Sequence, residues 1–285
     1  MTGTSLFRKQ NLNTGGFCLA ILACLALSAG SVLAGTSTQD TLTPRQREIE
    51  RQRRRMVSGE TEERRDALAQ LGAMHHPDAS RIALAGLSDA EPVVRATAAK
   101  AILSLPAEQV VTALVPLLDD RDEFVRTEAA YALGRVRSRS SVTSLIAALT
   151  DKKDGVRAAA AIALGEIADE SAVIPLVQVV SAEPLRLEGK KGRSSRERNQ
   201  FVRRAAAMAL GQIRSRVAVP ALIRVLGDRE LDSDVKREAA RSLGLIGDPV
   251  AAPPLRAALT EADPHLAQAA ALALERIAKN DQVRR

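Results

Sequence analysis

Residues 151–165 read DKKDGVRAAAAIALG, and the way this string recurs along the chain decides the fold. Within and just beyond it, Val156, Ala159, Ala160, Ala163, Leu164 and Ile167 fall at i, +3, +4, +7, +8 and +11, one face of a helix with a 3.6-residue period. The Val-Arg pair of the string occurs at Val94-Arg95, Val125-Arg126 and Val156-Arg157, spaced by 31 and 31 residues, and again at Val202-Arg203 after 46. It returns once more as Val235-Lys236. Leu-Gly follows at Leu71-Gly72, Leu133-Gly134, Leu164-Gly165, Leu210-Gly211 and Leu243-Gly244, with Leu103-Ser104 in the second unit. Units of about 60–88, 89–119, 120–150, 151–182, 198–229 and 230–262 result, with a terminal half from 263.

Each unit reads as two helices. In the fourth, the alanine-rich first helix is followed by a second stripe of Val173, Leu176, Val177 and Val180. Alanine lets neighbouring helix axes approach at the short end of the usual ~8–10 Å. Gly165 and Gly134 stand near the ends of their first helices, so they are expected to end them with positive φ. No unit can bury its apolar stripe alone; stacked neighbours bury it for one another, which is the physical basis of a solenoid. In the last half-unit Glu275 replaces the glycine and Ala267 the arginine, as expected of a degenerate terminal cap. The fold class expected is all-α, a right-handed α-solenoid.

The string Asp-x5-Arg-x-x-Ala-Ala-x-x-Leu-Gly, as in Asp151 to Gly165, resembles the short HEAT-like repeat of the phycobilisome-lyase type, over roughly residues 60–278. The aromatic positions of tetratricopeptide repeats are unfilled and the ankyrin Thr-Pro-Leu-His signature is absent. The resemblance implies fold more than function, because such repeats serve many tasks. It also implies one enzymatic alternative, a lyase-like activity.

Aromatic residues make up 2% of the chain, with no Trp, so Ala, Leu, Val and Ile must fill the interior. Residues 1–34 read as a secretory signal peptide: Arg8 and Lys9, the apolar run Phe17–Leu27, then Val32-Leu33-Ala34 with small residues for cleavage. Export to the periplasm or outside the cell is expected. The run Phe17–Ala34 is slightly short for an uncleaved membrane anchor, and Ile21-Leu22-Ala23-Cys24 is an imperfect lipoprotein signal. Cys18 and Cys24 both lie in this segment, so residues 35–285 carry no thiol.

Two basic segments interrupt the pattern. The first lies in the N-terminal linker or helix, residues 35–59, ahead of units 1–4 (60–182). Its Thr43-Pro44-Arg45-Gln46 has the residues of a capped helix start. Through Val57 it bears Arg45, Arg47, Arg51, Arg53, Arg54 and Arg55 against Glu48 and Glu50. The second segment is an insertion of about 15 residues, read as a loop over 183–197 ahead of units 5–7 (198–281). Around it, Arg186, Lys190, Lys191, Arg193, Arg196 and Arg198 face only Glu188 and Glu197, and its glycines and serines argue against a rigid helix. The chain carries +7; without Arg8 and Lys9 it carries +5, and the two segments contribute +8, leaving the body near −3. Candidate partner-binding residues are therefore Arg51, Arg53, Arg54, Arg55, Arg186, Lys190, Lys191, Arg193, Arg196 and Arg198.

Other charges look structural. Asp89, Asp120 and Asp151 precede Arg95, Arg126 and Arg157 by six residues, with Glu197 and Glu230 in the acidic position before Arg203 and Lys236. A feature repeated in every unit is expected to cap helices and tie units together. The three histidines, His75, His76 and His265, lie too far apart in the repeat order to share a site, so neither a catalytic triad nor a zinc site can be assembled from them. Gly189-Lys190-Lys191-Gly192 lacks the spacing of a phosphate loop, and no cofactor is expected. Nucleic acid fits poorly, since only Phe124, Tyr131 and Phe201 are available for stacking. Phe124 and Phe201 share a register directly before Val-Arg, with core packing the expected role. The function expected is a non-catalytic protein–protein scaffold whose partner is acidic at the contact; a membrane-surface adaptor binding anionic lipid is the alternative.

Overall fold

A computed structural model describes residues 42–181 and 193–284, with side chains resolved outside 193–199 and 283–284. The described residues form a right-handed α-solenoid. After α1 (Pro44–Arg55), six helical hairpins follow: α2 and α3 (Thr61–Ala73, Pro77–Ala83), α4 and α5 (Pro92–Ala101, Ala107–Leu114), α6 and α7 (Glu123–Val136, Val142–Ala148). The remaining hairpins are α8 and α9 (Asp154–Ile167, Val173–Ser181), α10 and α11 (Arg193–Ile213, Val219–Gly227), and α12 and α13 (Ser233–Ile246, Ala252–Ala258). Helix α14 (Pro264–Arg284) ends the stack.

The even-numbered first helices pack against one another far more extensively than the second helices do, and the glycines explain this. A Cβ built on Gly134 would stand 2.7 Å from the Cα of Ala163; on Gly165, 2.8 Å from that of Ala209; on Gly244, 2.7 Å from that of Ala273. Each glycine is therefore a seat for the backbone of the next first helix. The expected positive φ at Gly134 and Gly165 does not occur. The left-handed residues lie three positions further on, at His75, Arg137, Ala168, Arg214 and Gly247, with φ between 47° and 70°. Their N–H groups close the helix end, as in Ala168 N–H to the Leu164 carbonyl at 3.0 Å. The Leu-Gly pair thus serves lateral packing, and the chain reverses one turn later.

Entry to the second helices is equally uniform. Ser138, Asp169, Ser215 and Asp248 each accept the N–H of the residue two ahead, setting a single 3₁₀ turn before α7, α9, α11 and α13. One fully buried leucine from most helices forms the core, among them Leu68, Leu114, Leu133, Leu164, Leu210, Leu222 and Leu243. The alanines of the first helices fill the space between them.

The repeated charges form rungs between units. Arg64, Arg95 and Arg126 each donate two hydrogen bonds, of 2.8–3.1 Å, to Asp89, Asp120 and Asp151, 25 residues ahead. Arg95 also donates to the carbonyls of Asp89 and Ala90, sealing the turn that leads into its own helix. The aspartates do not cap the following helix as expected. Each accepts the N–H two residues on, and the cap itself falls at Glu91, Asp122 and Lys153. Asp228 and Asp263 likewise accept the N–H two residues on, from Glu230 and His265. At the fourth unit this 25-residue rung is missing. The residue 25 positions after Arg157 is Ala182, and Arg157 pairs with Asp154 in its own helix.

Burial pushes the Asp120 and Asp151 carboxyls up, but the guanidinium bonds and the backbone N–H outweigh it and hold both below the ordinary aspartate range. For Asp89 the bonds from Arg64 dominate outright, in the same direction.

Candidate functional site

Helix α1 places its arginines on an exposed surface. Thr43 and Gln46 form a reciprocal capping box, and Ile49 and Gln52 turn inward against α2 and α3. Arg51, Arg53 and Arg54 face solvent while pairing with Glu48 or Glu50 along the helix, and Arg55 reaches Glu63 at 3.4 Å. Pairs this exposed are weak and leave the guanidinium groups open to a partner.

Of the second basic segment, Arg186, Lys190 and Lys191 lie outside the described residues. Arg193, Arg196 and Arg198 lie in the first turns of α10, which runs 21 residues where α6, α8 and α12 run 14. The stretch read as loop up to residue 197 therefore turns helical at Arg193. An inserted serine–arginine stretch directly preceding an apolar helix extends it, because the existing helix removes the cost of nucleation. In the repeat order three hairpins and α8–α9 separate α1 from α10, so the two helices are not neighbours in the stack.

The aromatic residues mark a different surface. At the position two before the repeated arginine, Phe124 is 46% and Phe201 40% exposed, so the expected core role does not hold. Phe124 sits at the start of α6, and Phe201 holds the same register in α10, about two turns into that longer helix. Five residues after the arginine, the same face carries Lys100, Tyr131, Ile162, Met208, Arg241 and Leu272 on successive first helices. The Lys100 ammonium lies 5.9 Å from the Phe124 ring centre, and the Arg204 guanidinium 5.6 Å from that of Phe201. Between these two cation–aromatic pairs α8 exposes Gly155 at the ring position and leaves Ile162 half-buried beyond it, while Ala158 and Ala159 are buried. Burial, together with Glu128 and Glu166, pushes the Tyr131 hydroxyl pKa up, so it stays protonated as a donor on this face.

The face was missed because its members are scattered in sequence. Aligning units on the repeated arginine and reading the −2 and +5 columns would have found them. Among the described residues no group of three or more His, Cys, Asp or Glu is placed to share a metal ion, and no helix is long and apolar enough to cross a membrane.

Three stretches, residues 54–134, 111–187 and 194–282, match the sequence profile of HEAT repeats. The chain belongs to the HEAT-repeat family. No curated protein sequence matches it. Similar solved structures include the complex of CpcE and CpcF of phycocyanin lyase from Nostoc sp. PCC7120, at 23% identity over 89% of this chain and 92% of that one, with a TM-score of 0.48. Human deoxyhypusine hydroxylase in complex with glycerol is 20% identical over 81% and 84%, with a TM-score of 0.41. Kap95p in complex with RanGDP is 14% identical over 81% of this chain and 40% of that one, at 0.48. As a family, HEAT repeats serve as protein-interaction scaffolds.

Proposed function

We propose that this HEAT-repeat chain is a non-catalytic scaffold that docks a protein partner on the exposed face of its first helices. One observation carries the reading. Phe124, Tyr131 and Phe201 are the only aromatic residues after position 41, and all lie on that face, two of them substantially exposed. Aromatic rings supply much of the buried area of cores and are the favoured anchors of protein interfaces. A fold that packs its core with leucine and alanine and holds Phe124 and Phe201 outward is arranged for the second use. Arg204 beside the Phe201 ring matches the composition of interface cores.

The basic segments add an electrostatic contribution. Arg51, Arg53, Arg54 and Arg55 on α1, together with Arg186, Lys190, Lys191, Arg193, Arg196 and Arg198, would draw a partner that is acidic at those contacts. Export is part of the proposal, supported by the n-region, apolar run and small-residue cleavage pattern of residues 1–34. Intact-mass measurement of the native protein tests it: a chain beginning at Gly35 is expected, and retention of residues 1–34 would refute it.

Docking is tested by comparing proteins crosslinked to the wild type and to a Phe124→Asp/Phe201→Asp variant in the exported fraction. The same partners should be lost from the variant while its thermal midpoint is unchanged. Retention of every partner by a folded variant would exclude the face. Binding to anionic liposomes at low salt, lost on charge neutralisation of Arg53 and Arg54, would instead favour the membrane-surface reading.

A further inference from the structure

The face is not uniform along the stack. Between α8, α10 and α12 it is indented by a cavity of about 500 Å³ with an apolar floor of Ile162, Phe201 and Met208. Its rim carries Arg204, Arg237 and Arg241 against Asp234 and Glu238. A second cavity of about 450 Å³ shares Arg237 and Arg241 and continues across α14 to His265 and Leu272, which is 53% exposed. The two together make one trough lined by four successive helices, α8, α10, α12 and α14.

The cations of this rim are not equivalent. Arg237 is tied down, paired with Asp234 on its own helix and 3.7 Å from Asp263. Arg241 contacts Glu238 through one nitrogen at 3.2 Å and otherwise faces solvent. Arg204 lies over the Phe201 ring, and the Asp234 carboxylate is 3.9 Å away, beyond hydrogen-bonding distance. It makes no hydrogen bond with any described residue. The ring holds the guanidinium in place while leaving its donors unused, which lowers the ordering cost of meeting an incoming carboxylate.

We propose that this trough is the anchor point of the scaffold and takes an acidic linear segment of the partner protein. A large apolar side chain of that segment fills the floor at Phe201, Ile162 and Met208. Carboxylates flanking it in sequence meet Arg204 and Arg241 in charge-assisted hydrogen bonds. The segment continues past Arg241 toward Leu272. A free anion would leave the apolar floor exposed, and a compact hydrophobic ligand would leave Arg204 unanswered. The length of the trough across four helices suits a chain. The inference rests on the scaffold reading and deepens it.

A phage-displayed library of random peptides selected against the full chain tests it. Selected peptides are synthesised, and their affinities followed by the emission of an appended or native Trp, since the chain has no tryptophan of its own. Enriched peptides should pair a large apolar residue with neighbouring Asp or Glu. Phe201→Ala should weaken them about tenfold or more, as truncated interface anchors do. Arg204→Ala should weaken them and flatten their salt dependence, while Phe124→Ala leaves them unchanged. Thermal midpoints of the three variants, expected to match the wild type, exclude misfolding. Enriched peptides without acidic residues, or indifferent to both Phe201→Ala and Arg204→Ala, would overturn the inference. If those peptides instead respond to Phe124→Ala, the docking face stands and only the anchor is wrong. If no peptide is enriched, or none responds to any of the three, the docking face falls as well.

Discussion

Replacing Gly165 by alanine tests the central packing argument directly. In a solvent-exposed helix this change gains about 1 kcal/mol of helix propensity. Here a Cβ would stand 2.8 Å from the Ala209 Cα and 3.0 Å from its Cβ, where ordinary contact begins at 3.4 Å. Helices α8 and α10 must open by about 0.6 Å to admit it. The Gln212 amide also stands in the way and can swing aside, but the Ala209 Cα is backbone and cannot, so the cost falls in the upper part of the ~1–3 kcal/mol range of overpacking. Subtracting the propensity gain leaves a net loss of about 1–2 kcal/mol, or roughly 2–8 °C in thermal midpoint for a domain of this size. Gly155→Ala is the internal control, since a Cβ there meets only the Thr127 hydroxyl at 3.9 Å, and its midpoint should hold or rise. Melts followed by far-ultraviolet circular dichroism read both. Gly165→Asn separates the close-approach role from a left-handed cap: asparagine tolerates positive φ but is bulkier than alanine, so it should be worse. A Gly165→Ala variant as stable as Gly155→Ala, or an Asn variant better than the Ala one, would refute the reasoning.

Three further outcomes follow from the same structure. Asp120→Asn should destabilise the chain at neutral pH by about 1–3 kcal/mol, because Arg95 keeps its carbonyl partners but loses a carboxylate. The folded pKa of Asp120 lies below its unfolded value of about 3.9, so the contribution is complete above that pH and disappears as pH falls through the folded pKa. Urea midpoints of wild type and variant should therefore converge in that acid window, and a gap that stays constant or widens there would count against the rung. Ala168→Gly should raise the thermal midpoint, because alanine at φ 58° pays roughly 1–2 kcal/mol for the left-handed conformation, while Gly247→Ala should lower it; opposite signs would show that the helix ends are misplaced. Thr43→Ala should remove the α1 capping box at about 1 kcal/mol, visible as faster amide exchange confined to α1, with exchange in α2 onward unaffected.

What was legible in the sequence and what was not divides along a physical line. The 31-residue recurrence of Val-Arg reports burial, and burial is a property each unit shares with the next, so one period suffices to read a solenoid from it. The Arg–Asp rung was legible for the same reason, although the partner turned out to be the aspartate 25 residues ahead rather than a helix cap. Gly165 was misread because two demands, left-handed φ and close approach, select the same residue type. Only the position of Ala168, three residues on, separates them. The docking face was illegible for the opposite reason to the repeat. Its residues, Phe124, Ile162, Arg204 and Arg241, differ from unit to unit and contribute little to burial, so periodicity averages them away. Composition pulled attention to the charged segments at 44–57 and 184–200, where net charge is locally extreme. Rings, by contrast, are few, and their rarity is what gives their placement meaning. A chain that has only three aromatics after position 41 and holds Phe124 and Phe201 outward on one face has kept those two rings out of the core, where leucine and alanine already meet the packing demand. Departures from the repeat at positions the repeat leaves exposed are accordingly where a solenoid of this kind carries specificity.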